Sequence, residues 1–121
     1  MTLQELYQEI GGDYEQAQKV LRIDKLIDKH IRKLPENGVV DGLLSAGEGM
    51  DPTELFEKAH AMKGVCANLG LTELAQAASD IAEEYRPGNS RSMTDEAVTA
   101  RLRDIRELYE RTVEGIRRYE G

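Results

Sequence analysis

Apolar residues recur along this chain at spacings of three and four, the period of an amphipathic helix, and no stretch alternates with the period of two expected of a strand. Thr2 and Glu5 form a capping-box pattern, after which Leu3, Leu6, Tyr7 and Ile10 share one face until Gly11-Gly12 ends a short first helix. Asp13, followed by Gln16, caps a second segment carrying Tyr14, Ala17, Val20 and Leu21. Ile23, Leu26, Ile27, Ile31 and Leu34 continue the stripe toward Pro35, with room for a break between Arg22 and Asp24. From Asn37 to Gly49, four glycines surround Val39, Val40, Leu43 and Leu44, a pattern that predicts a short or frayed helix and then a turn.

Asp51-Pro52-Thr53-Glu54 is a strong helix start: Asp caps free amides, Pro suits the first helical position, and an acidic side chain favours the positive helix end. That helix runs to about Leu69, and Gly70 suits its C-terminal cap. Leu71, Leu74, Ala78, Ile81 and Tyr85 mark a further helix, antiparallel to the last because the join is so short, and it stops before Pro87-Gly88. Thr94 caps a final helix with Val98, Leu102, Ile105, Tyr109, Thr112, Ile116 and Tyr119 on one seam. Amphipathic helices on short connections predict an all-α protein, an antiparallel helical bundle, formed as one domain over residues 1–121.

Composition narrows the chemistry. One Phe, five Tyr and no Trp leave aliphatic packing as the source of the core, and a formal charge of −7 disfavours nucleic acid and anionic membrane as partners. The arginines from Arg101 to Arg118 alternate with Asp104, Glu107, Glu110 and Glu114, as on a solvated, ion-paired helix face. No run reaches the roughly 18 apolar residues of a membrane span, and the N-terminus has neither a basic leader nor an apolar run, so a cytoplasmic location is expected. Cys66 is the single cysteine and falls on a core-facing position, where packing is its expected role. Two distant histidines without an H-x-x-x-H spacing give no metal site. His30, beside Ile27, Ile31 and Leu34, is expected to be structural at the margin of a buried stripe.

His60 is different. Leu55, Ala59, Met62, Cys66 and Leu69 form a stripe roughly 80° wide that faces the core, and His60 lies about 100° beyond its edge. Lys63 and Gly64 follow at the i+3 and i+4 positions, and Ala67 extends the same open surface. Neutral imidazole is nucleophilic near pH 7 and can accept a phosphoryl group without a strong base. A lysine one turn away offsets the phosphoryl charge, and a glycine lets a partner come close.

The run Ala59-His60-Ala61-Met62-Lys63-Gly64 with Gly70 six residues later resembles the signature of the histidine-containing phosphotransfer (HPt) family, and Leu71, Leu74, Ala78, Ile81 and Glu83-Glu84 are similar to its next helix. The signature covers roughly a quarter of the chain. The resemblance implies a four-helix bundle core, here with a short extra N-terminal helix, that presents His60 to receiver domains of response regulators or hybrid histidine kinases. His60 would be the phospho-acceptor in a two-component phosphorelay. Lys63 would stabilise the phosphoryl group, Gly64 would give clearance, and Phe56, Glu57, Ala67 and Asn68 would border the docking surface. Such a protein is a phosphocarrier and not an enzyme; it works as a monomer, with no cofactor of its own, the magnesium being supplied by the receiver. Two positions depart from the family pattern. Met62 replaces the usual leucine, a volume-conserving change. Ala82 stands about 22 residues after the histidine, where many members place a Gln or Glu that hydrogen-bonds the imidazole, and Glu83 beside it points elsewhere in this register. Ala82 favours the alternative of an HPt-fold module that binds a receiver or kinase without carrying phosphate. A helical dimerisation protein using the final seam is a third reading.

Overall fold

A computed structural model of the chain describes residues 1–120, which form seven helices. They are α1 (Leu3–Ile10), α2 (Tyr14–Leu21), α3 (Asp24–Asn37), α4 (Val39–Gly49), α5 (Pro52–Asn68), α6 (Thr72–Tyr85) and α7 (Asp95–Glu120). Helix α5 packs against α4 on one side and α6 on the other, and α7 closes the bundle by touching both α4 and α6. Three helices, and not the one short extra helix expected, precede this four-helix core and flank it: the 8-residue α1 and the 14-residue α3 pack against α7, and the 8-residue α2 against α5. The all-α bundle expected from the periodicity is therefore the observed architecture.

Most helix starts follow the sequence signals. Thr2 and Glu5 make the reciprocal capping box, and Asp13 accepts from the Gln16 amide. Asp51 accepts from the Glu54 amide, and Thr94 Oγ1 from that of Ala97. In each case the side chain satisfies an amide that the helix itself leaves free. Two elements differ from expectation. The segment read as short or frayed forms an 11-residue helix, α4, because Val40, Leu43 and Ala46 are buried in the bundle; packing outweighs the weak propensity of its glycines. Helix α3 continues through Pro35 to Asn37.

The break foreseen near Arg22 occurs, with Arg22 at φ 71°. It has a consequence for the apolar stripe. Of the residues in α2 only Ala17 is fully buried, and α3 buries Ile27, Ile31 and Leu34. Val20, Ile23 and Leu26, which continue the apolar spacing, stand 40%, 54% and 38% exposed: Ile23 lies at the break and Leu26 is turned about 100° from the buried Ile27 on α3.

The end of α5 is clamped from the N-terminal side. The buried Tyr7 hydroxyl donates to the Leu69 carbonyl at 2.6 Å, and the Asp13 amide donates to the Gly70 carbonyl at 2.7 Å. Gly70 itself has φ 71°, and a Cβ there would sit 2.1 Å from the Asp13 carbonyl oxygen. Only glycine fits so close an approach in a left-handed conformation.

Candidate functional site

Helix α5 turns Leu55, Ala59, Met62 and Cys66 into the core, all fully buried, and this fixes where the opposite face looks. Burial pushes the Cys66 thiol up to about 12, in keeping with a packing role. His60, at the middle of the helix and equally far from both ends, is exposed. A histidine so placed has the firmest backbone an α-helix offers, since fraying begins at the termini.

The other residues singled out by the sequence fall on two flanks of His60. At about 100° per residue, Phe56, Lys63 and Ala67 lie within roughly 60° of it on the side of α6; Glu57, Gly64 and Asn68 lie within roughly 80° on the other side. Phe56, Lys63 and Ala67 are half-buried, whereas Glu57, Gly64 and Asn68 are exposed. One face of one helix thus carries all seven.

Helix α6 borders the first flank. Glu83 accepts two hydrogen bonds from Arg86, from Nε at 3.1 Å and from Nη2 at 2.6 Å. Its carboxyl is held below the usual range chiefly by that bond, and the positive charge of Lys63 on α5 acts in the same direction. Ala82 is buried and brings no polar group to His60. What the imidazole meets is Phe56, with ring centroids 5.8 Å apart and planes inclined by 21°.

The second flank opens into a groove of about 320 Å³ lined by Leu21, His30, Lys33, Leu34, Asn37, Val65, Asn68 and Leu69. His30 is exposed in this groove, not packed at the edge of a buried stripe as its apolar neighbours suggested. The groove leads from the His60 face toward α2, whose Leu21 lies beside the exposed Val20. Val20, Ile23 and Leu26 are interleaved with the exposed cations Lys19, Arg22, Lys25 and Lys29. Sequence reasoning missed this apolar, basic surface because hydrophobic spacing alone reads as core; the signal that could have found it is the density of lysine and arginine among those same residues.

Gly64 has open space where a side chain would be: an added Cβ would meet nothing within 4 Å. No group of three or more His, Cys, Asp or Glu side chains among the described residues is arranged to hold a metal ion. None of the described helices is long and apolar enough to cross a membrane.

The four-helix core thus displays His60 at the centre of one helix, with Lys63 and Gly64 on the following turn. The family model described as Hpt domain matches residues 2–115, and the chain belongs to that family, whose members are phosphocarrier modules rather than enzymes. Comparison with curated proteins and with solved structures gives no significant match.

Proposed function

We propose that this protein carries a phosphoryl group on His60 between aspartates of receiver domains in a two-component phosphorelay, and that residues 1–121 act as one HPt domain. The observation that carries the reading is the pairing of an exposed mid-helix histidine with Gly64, a residue the bundle does not require. A helix-interior glycine costs about 1 kcal/mol relative to alanine, and the space it leaves is of use only to something outside the chain.

The transfer follows from ordinary imidazole chemistry. An unprotonated ring nitrogen of His60 attacks the phosphorus of the receiver's aspartyl phosphate; the N–P bond forms, the acyl P–O bond breaks, and the aspartate leaves as a free carboxylate. The proton on the other ring nitrogen is then released to water. Lys63 stabilises the charge on the phosphoryl oxygens. Gly64 admits the receiver, while Phe56, Glu57, Ala67 and Asn68 border the contact. The receiver supplies magnesium.

The groove beside the His60 face, to which Lys33 and Asn68 both contribute, extends the docking surface toward α2 and α3. The occupant is the receiver domain: the exposed Val20, Ile23 and Leu26 of those helices offer apolar contact, and the surrounding lysines and arginines, which outnumber Asp24 and Asp28, complement the carboxylates needed to hold a magnesium ion. The test is transfer of labelled phosphate from a phosphorylated receiver domain with magnesium, beside a His60→Gln control. Acid-labile, base-stable label on this chain, lost in the control, is the expected result. Receivers that dock without transferring label would instead support the non-phosphorylated binding module, for which Ala82 speaks.

A further inference from the structure

The buried Ala82 leaves His60 without a hydrogen-bonding side chain from that position of α6. The exposed imidazole still has a defined neighbour. Phe56, one turn earlier on α5, stacks on it at 5.8 Å and 21°, within the range in which aromatic rings attract beyond their shared burial. Phe56 is itself held: the Arg86 guanidinium lies 6.0 Å from its ring centroid, a cation–π distance, and Arg86 is fixed by its two hydrogen bonds to Glu83. A continuous set of contacts, Glu83 to Arg86 to Phe56 to His60, runs from the C-terminal end of α6 to the acceptor.

Stacking constrains the histidine in a way that a passive neighbour does not. Rotation about the last side-chain torsion of His60 swings the two ring nitrogens, and that torsion is intrinsically broad. Only near-parallel orientations keep the imidazole against the flat face of Phe56. The ring plane is thereby held, while the residue stays exposed.

We propose that Phe56 is the positioning residue of His60, doing by stacking what a hydrogen bond from α6 would otherwise do, and that Arg86 holds Phe56 in place for it. The kinetic consequence rests on the phosphotransfer reading; the geometric one does not. Attack requires the nitrogen lone pair to line up with the phosphorus, so an unconstrained ring reacts less often at the same affinity.

The experiment compares the full chain with Phe56→Leu, Phe56→Tyr and Arg86→Ala by two readouts. First, the carbon-bound imidazole protons of His60 are observed by NMR in the unphosphorylated protein. They are displaced by the Phe56 ring current in the parent and in F56Y, relax toward free-histidine positions in F56L, and fall between in R86A. Second, single-turnover transfer from a phosphorylated receiver is measured against receiver concentration. F56L lowers the saturating rate about tenfold, beyond any change in half-saturation that comes from its place at the border of the contact, and F56Y restores the rate. His60 resonances that are the same in the parent and F56L overturn the proposal. So does a loss in F56L that lies only in half-saturation, which would leave Phe56 a docking residue alone, or a failure of F56Y to rescue. If the parent itself transfers no phosphate, the function reading fails while the NMR comparison still decides the positioning role. R86A, altered at an exposed residue, keeps that comparison available should F56L fold poorly.

Discussion

At Gly64 an alanine methyl would enter open space, so Gly64→Ala fits the bundle and improves helix propensity. Urea unfolding is expected to show stabilisation by about 0.5–1 kcal/mol. The same methyl stands beside His60 on the face a receiver must approach, and transfer is expected to slow on the order of tenfold. Stability and transfer moving in opposite directions would mark a glycine kept for function; a variant that transfers normally would remove Gly64 from the site. The motif residues His60, Lys63 and Gly64 were legible in the sequence because their i, i+3, i+4 spacing fixes a shared helix face whatever surrounds it. The stacking of Phe56 on His60 was not, since spacing gives proximity without giving the angle between two rings.

Among the elements, the α5–α6 join and the α6–α7 loop depend on single residues. Gly70→Ala places a Cβ 2.1 Å from the Asp13 carbonyl oxygen in a left-handed conformation. It is expected to cost on the order of 3 kcal/mol in urea unfolding and to loosen the end of α5. The α6–α7 loop closes on Glu84, only 5% exposed, which accepts from the Ser92 and Met93 amides, the Ser92 hydroxyl and Arg91. These bonds, the Met93 amide foremost, hold its carboxyl down to about 2 from an ordinary value of 4.5. The folded-state value is depressed, so the contribution is fully present above about pH 4.5 and is lost as pH falls toward about 2. Glu84→Gln is expected to melt below the parent at pH 7, with the difference shrinking across that window; a constant difference would rule out the carboxylate as its source. Helix starts were readable because caps are local chemistry. The full helicity of α4 was not, since its stability comes from contacts with α5 and α7 that no local pattern encodes.

Over the whole molecule the charge is uneven. The formal total is −7, yet in the stretch that holds the exposed Val20, Ile23 and Leu26 the cations Lys19, Arg22, Lys25 and Lys29 outnumber Asp24 and Asp28. Surface attraction of this kind is screened: raising ionic strength from about 0.1 M to about 1 M shortens the screening length from about 10 Å to about 3 Å. Receiver binding is therefore expected to weaken with salt. Lys25→Glu should act mainly by slowing association, and Ile23→Asp mainly by hastening dissociation, in surface plasmon resonance against a receiver domain. Salt-independent binding that neither change affects would place the docking surface elsewhere.

By itself the sequence determined the helical class, the positions of most helix ends, and the face on which His60, Lys63 and Gly64 stand. Each of these follows from periodicity and capping within a few residues. Tertiary structure decided which apolar residues are core and which are surface, because burial is a property of what packs against a face, and Val20, Ile23 and Leu26 have the same spacing as residues that are buried. It also decided the company of His60: α6 arrives beside α5 with a buried alanine at 82 and an ion-paired Arg86 over Phe56, a juxtaposition of side chains up to 30 positions apart that only the closed bundle brings together.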